Sequence, residues 1–354
     1  MKAKKTMALM LGTALVVSMT ACGGGGEEKP ADGKEDGIKI GLALNGGLGD
    51  KNFNDMGYEG MQRAAEELGV TFDYLEPETA SDFLPNLRTL SETKEYDLII
   101  VLGISQSDAV NEIVMDFPEQ KYSHIDSTVN AENVSSVSTK WQEQTFLAGV
   151  VAGMGTLSDM EKANEDNVIG VILGQENPDL RKGVIGYKAG AMYVNPDVKV
   201  LEGNVNNFSD PDKGKEMALS MYNQGADFIQ SIAGMSGMGI YNASKEQNRY
   251  SFGVGANVNY VEPDYIVGTS ARVVDEMVYN EVKAFVDGTW EAGVKISGLK
   301  EGSVGLDTEQ SNVKIPDDIQ KAVEDVQKMI ADGTLVLPET EEELADWVAN
   351  NQYQ

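Results

Sequence analysis

From residue 38 to residue 254 one pattern recurs: a short run of β-branched and other apolar residues, then a longer segment with apolar residues at helical spacing. That alternation confines the chain to one class of fold. Strands are expected at 38–44, 70–75, 98–102, 121–125, 134–138, 168–173, 198–201, 228–232 and 252–254. Helices are expected at 56–68, 108–117, 142–154, 181–193, 212–223 and 240–247. Strands that are apolar throughout are buried on both faces. They belong to parallel sheets covered by helices on each side, a doubly wound α/β class. A chain of 354 residues outgrows a single core, so two such sheets are expected. Open sheets of this kind hold ligands beyond the carboxyl ends of their strands. The loops there are 45–54, 103–107, 126–128, 174–178, 234–239 and 255–259. They are polar or glycine-rich, which suits a small, polar, partly aromatic ligand.

The two ends of the chain carry a different kind of information. Lys2, Lys4 and Lys5 precede an apolar stretch at 7–17 that is too short to span a bilayer, and small residues then lead to Ala21 and Cys22. The segment reads as an export signal. Its ending resembles the lipobox of bacterial lipoproteins, which makes 1–21 a removable leader and Cys22 the lipidated first residue of the mature chain. Residues 23–37 are glycine-rich and charged, a flexible tether. The body is therefore expected on the extracytoplasmic face of the cell membrane, held by its lipid. Residues 339–354 are expected to form a short acidic helix docked on the body through Leu344, Trp347 and Val348.

Composition excludes several chemistries. Cys22 is the only cysteine and His124 the only histidine, so neither a disulfide, a thiolate metal site nor a multi-histidine centre is available. A formal charge of −29 repels a phosphate backbone, and nucleic acid is not expected as a partner. The loop NGGLGD at 45–50 lacks the G-x-G-x-x-G spacing of a dinucleotide site, and no P-loop spacing occurs. GMSGM at 234–238 falls one residue short of a nucleophile elbow, and its serine has no evident histidine partner. His124 and Asp126, two apart on a strand, leave it on the same face, but an acid–base pair needs a nucleophile within reach. The chain is not expected to be an enzyme, and no cofactor or metal is expected.

Several motifs, read in order, resemble one family. They are DKNFND at 50–55 followed by GYEG at 57–60, HID at 124–126, FLAG at 146–149, GYKAG at 186–190, VNP at 194–196, FSDP at 208–211, NQGAD at 223–227, GLKEG at 298–302 and VGL at 304–306. Together they are similar to the basic membrane protein (Bmp) or PnrA-like lipoproteins, over roughly 38–338. The resemblance implies a type I binding-protein fold: two α/β lobes joined by three crossovers, near Lys140, Ser270 and Gly302, and closing on a ligand. It implies an N-terminal lobe of 38–140 with 270–301 and a C-terminal lobe of 141–269 with 302–338. It implies the solute-binding component of an ABC importer, working as a monomer with an ABC permease, and a nucleoside or nucleobase as cargo. A sugar or flavin-like ligand, or a ligand-sensing receptor of the same fold, is left open.

By the same resemblance Phe53, Asn54 and Asp126 would hold the base, an aromatic face and a polar edge suited to a heterocycle. The wider ligand-binding set is Asp50, Phe53, Asn54, Ser105, Asp126, Gly234, Asn257 and Arg272. Two positions depart from the family pattern. Gly255 stands where an aspartate that holds ribose hydroxyls is usual, and Arg272 where a lysine is usual, which replaces a point charge by a planar fork. Base recognition kept and sugar recognition altered would fit a modified nucleoside or a free base.

Overall fold

The computed structural model describes residues 37–353. The first sheet opens with β1 (Lys39–Ala43), followed by α1 (Phe53–Leu68), β2 (Thr71–Leu75), α2 (Phe83–Thr93), β3 (Leu98–Leu102), α3 (Ser107–Asp116), β4 (Tyr122–Ile125) and β5 (Val134–Thr139). The second continues with α4 (Trp141–Gly155), β6 (Val168–Leu173), α5 (Pro178–Val194), β7 (Lys199–Asn204), α6 (Pro211–Tyr222), β8 (Ala226–Ile232), α7 (Gly237–Gln247), β9 (Tyr250–Gly255) and β10 (Ile266–Arg272). Then come α8 (Val274–Val286), β11 (Gly293–Ser297), β12 (Val304–Asp307), α9 (Asp317–Ala331) and α10 (Glu341–Asn350).

Two six-stranded sheets result, in the orders β11-β5-β4-β3-β1-β2 and β12-β10-β9-β8-β6-β7. The doubly wound α/β expectation holds. β3 and β6 are buried at every residue, as strands covered on both faces must be. The chain passes from the first sheet to the second between β5 and α4, returns between β10 and α8, and passes again between β11 and β12. One strand corrects the all-parallel expectation: β12 runs antiparallel to β10, with Val304 opposite Arg272. The cause is topological. β10 leaves its sheet at Arg272, β12 enters beside that exit, and from there it can only run back along its neighbour.

The elements that sequence patterning left out are α2, β10, α8, β11, β12 and α9. In α2, Pro85 looks like a breaker, yet it falls in the first turn, where a missing N–H costs nothing. β11 and β12 are short sheet-edge strands whose half-solvated sequences lack the continuous apolar run.

The three passages are bound to one another. The Lys140 N–H donates to Ser297 O at 2.9 Å, Gln144 Nε2 donates to Ser270 O at 2.9 Å, and the Leu299 N–H donates to a carboxylate oxygen of Glu143 at 2.8 Å. Helices α4 and α5 cross unusually closely, because FLAG and GYKAG put glycines where they meet. A methyl group at Gly190 would lie 2.1 Å from Phe146 O, and one at Gly149 would lie 2.2 Å from Tyr187 O. At the carboxyl end, Leu344 of α10 is buried, Trp347 meets Phe146 edge-on at 6.0 Å, and its indole N–H donates to Val336 O. Among the described residues no helix is long and apolar enough to cross a membrane. Cys22, the leader and residues 23–36 of the tether lie outside the described residues.

Candidate functional site

The loop after β1 is built around its own carboxylate. Asp50 accepts from the backbone N–H groups of Asn52, Asn54 and Asp55 and from Asn54 Nδ2, so it supplies the anion that the start of α1 favours. The side-chain oxygen of Asn54 accepts from the Asn45 and Gly46 N–H groups at 3.0 and 3.1 Å. Both residues brace the loop that presents Phe53, the first residue of α1.

Phe53 is half-buried and faces a cation. The Arg272 guanidinium carbon lies 4.9 Å from the Phe53 ring centroid and 4.5 Å from that of Trp141, so the planar cation is held over two aromatic rings. Its Nη1 donates to Asp126 Oδ1 at 2.6 Å. Asp126 follows β4 with a φ of +61°, a left-handed turn that aspartate tolerates better than most residues. This ion pair is nearly dry, with side-chain exposures of 10% for Arg272 and 7% for Asp126. The Arg272 Nε is buried with no acceptor, and only Nη1 of the guanidinium is bonded to a described residue.

Beside this cluster the two lobes touch through Asn52. Its Nδ2 donates to Val254 O at 3.0 Å, and its Oδ1 accepts from the Ala256 N–H at 3.1 Å. Gly255, between them, has a φ of +86°, and a Cβ there would fall 2.2 Å from the same Asn52 oxygen. Any side chain at 255 would push the lobes apart, which gives the glycine a physical reason.

The remaining expected site residues make no hydrogen bond to this cluster among the described residues. Ser105 is exposed on a short turn after β3, and Gly234 is exposed on the corresponding turn after β8. Asn257 is tied to its own lobe: its Nδ2 donates to Asp307 Oδ2 at 2.8 Å and to Glu309 O at 3.1 Å. Thus Phe53, Asp126 and Arg272 come together, Asp50 and Asn54 support them, and Ser105, Gly234 and Asn257 are not bonded to them among the described residues. Sequence reasoning passed over Trp141 and Asn52. The signals were present, an aromatic at the start of a helix directly after a strand and an asparagine inside the 50–55 motif.

Two groups weighed for chemistry are structural. Ser236 is buried, donating to Asn207 O and accepting from the Asp210 N–H. His124 is fully buried, with its Nε2–H donating to Gly103 O at 2.9 Å, and desolvation pushes its pKa down to about 4. The ring is therefore neutral at ordinary pH, and its Nδ1 has no partner among the described residues. No group of three or more potential metal ligands occurs among the described residues.

Two doubly wound lobes joined by three crossovers, with polar and aromatic residues gathered between them, define a type I solute-binding protein. The family model for PnrA-like ABC transporter substrate-binding proteins, Bmp, matches residues 38–341, and the chain belongs to that family. An uncharacterized lipoprotein of Pyrococcus abyssi is 35% identical, over 84% of this chain and 75% of that protein. Basic membrane protein A of Borreliella afzelii is 29% identical, over 88% of this chain and 94% of that protein. A crystal structure of an ABC transporter solute-binding protein from Aeropyrum pernix K1 superposes with a TM-score of 0.78 at 29% identity, covering 87% of this chain and 96% of that one.

Proposed function

We propose that this substrate-binding protein is the lipid-anchored receptor of an ABC importer and that it carries a nucleoside or nucleobase-like ring between its lobes. The observation that carries the reading is the convergence of Phe53, Trp141, Asp126 and Arg272 at one point between the lobes. The half-buried Phe53 ring offers stacking worth roughly 1–3 kcal/mol per base, and the buried Trp141 backs the guanidinium. The carboxylate and guanidinium supply the acceptor and donors that a heterocycle's edge requires. No protein group pairs the second oxygen of Asp126 among the described residues, which keeps an acceptor open for a ring N–H.

Export and anchoring through Cys22 would keep the receptor near its permease, with the stretch to Gly37 giving it reach. Titration calorimetry against adenosine, guanosine, inosine, adenine and hypoxanthine tests the cargo. Binding heat with at least one of them is expected, and none with any of them overturns it. Fractionation of cells producing a Cys22→Ser chain tests the anchor: loss from the membrane fraction is expected, and retention there overturns it.

A further inference from the structure

We infer that Arg272 makes the site selective for 6-oxopurines over 6-aminopurines, an inference that rests on the ring-binding function proposed above. A guanidinium carries five N–H donors in a fixed planar fork. One edge is spent, since Nη1 serves Asp126. On the other edge Nε–H and an Nη2 N–H run parallel, and Nε is buried without an acceptor among the described residues. Buried donors without partners are costly, and this one sits on a side chain only 10% exposed, against the half-buried ring of Phe53 and the buried ring of Trp141.

What completes such an edge is a pair of adjacent, coplanar acceptors. The carbonyl O6 and ring N7 of guanine or hypoxanthine form that pair, and it is the commonest specific partner of arginine among the bases. Adenine offers N7 but sets an amino group where O6 would be. Two N–H donors then face each other, and the arginine edge stays unpaired. A bidentate partner also lies in the plane of the guanidinium, beginning where that cation already sits over Phe53 and Trp141. Asp126 contributes differently: it fixes the guanidinium by its Nη1 edge, so the Nε edge is held ready before any ligand arrives. A lysine in this position would give a point charge with no such preference.

The test is calorimetry on the full chain with hypoxanthine against adenine and inosine against adenosine, repeated on Arg272→Lys and Arg272→Gln. The parent protein should favour the oxo member of each pair roughly ten- to hundredfold, the discrimination a good bidentate contact gives. Arg272→Lys keeps a cation beside Asp126, so it should melt close to the parent while its preference shrinks to within about threefold. Arg272→Gln should shift preference toward the amino member, since glutamine pairs with N6 and N7 of adenine. Equal affinities in the parent, or a preference unchanged in both variants, would overturn the role of Arg272 while leaving ring binding intact. No heat with any of the four would overturn the proposed function and this selectivity with it. Orotate, a ring bearing a carboxylate, serves as the control for the other acceptor pair that fits the fork, and its binding more tightly than hypoxanthine would overturn the oxopurine assignment.

Discussion

At the scale of single residues, two kinds of buried group behave differently. Phe53 is the first residue of α1 and packs partly on the first lobe's core while its ring meets Arg272. Phe53→Ala should weaken binding of the best base or nucleoside at least tenfold, a loss of about 1.4 kcal/mol or more, with circular dichroism unchanged. Unchanged affinity would reduce the ring to packing. His124 and Asp227 respond to acid in opposite senses. His124 falls from 6.5 to about 4 on folding because burial disfavours its charge, so the unfolded chain binds the extra proton between those values. The stability it contributes is whole above pH 6.5 and is lost as the pH falls toward 4. Asp227 works in reverse: burial raises it from 3.8 to about 6 against the donors Asn164 N–H and Thr156 Oγ, so stability is lost as the pH rises through that window. The two slopes oppose each other. His124→Gln, which keeps an amide donor for Gly103, should remove an acid penalty of roughly 3 kcal/mol. Relative to the parent, its unfolding free energy in urea should improve steadily from pH 6.5 down to 4.5. A constant difference across that range would mean the imidazole takes up its proton as readily in the folded chain as in the unfolded one.

At the scale of elements, the motif glycines of FLAG and GYKAG act as spacers between α4 and α5. Helix α4 is buried along almost its whole length, so it cannot retreat from an added methyl group. Gly190→Ala would drive a Cβ to 2.1 Å from the Phe146 carbonyl, and the backbone would have to move. A loss of roughly 1–3 kcal/mol is expected in urea unfolding, more than an ordinary glycine-to-alanine change in a helix, which is stabilising. A variant as stable as the parent would show that the crossing has slack. The central strands were legible because β3 and β6 are continuous apolar runs and β1 and β8 are largely apolar. The edge strands β11 and β12 were not, since half-solvated pairs take whatever sequence their neighbour's register permits.

At the scale of the whole molecule, Asn52 joins the lobes by two hydrogen bonds that involve no ligand. Each is worth about 0.5–1.5 kcal/mol, so Asn52→Ala should shift the balance between closed and open forms by roughly 1–3 kcal/mol toward open. Small-angle scattering of the unliganded variant should give a larger radius of gyration than the parent, and added ligand should restore it. Identical scattering curves without ligand would show that Asn52 does not hold the lobes together. Closure that is partly prepaid in this way raises affinity for whatever fits, because the open fraction taxes binding less.

The sequence alone determined the doubly wound class, through strands apolar at every position, and the family, through motifs kept in order from Asp50 to Leu306. The family resemblance also marked Phe53 and Asp126, and it marked Arg272 as a departure from the usual lysine. Only the tertiary structure decided what those residues do to one another. Arg272 stands 146 positions from Asp126, and Asn52 lies about 200 from the strand end it grips. No local pattern encodes contacts at such separations. They follow from three crossovers that bring the carboxyl ends of both sheets to one place, where a guanidinium is held between rings with one edge unpaired, and where a glycine is required because another lobe's asparagine occupies the space beside it.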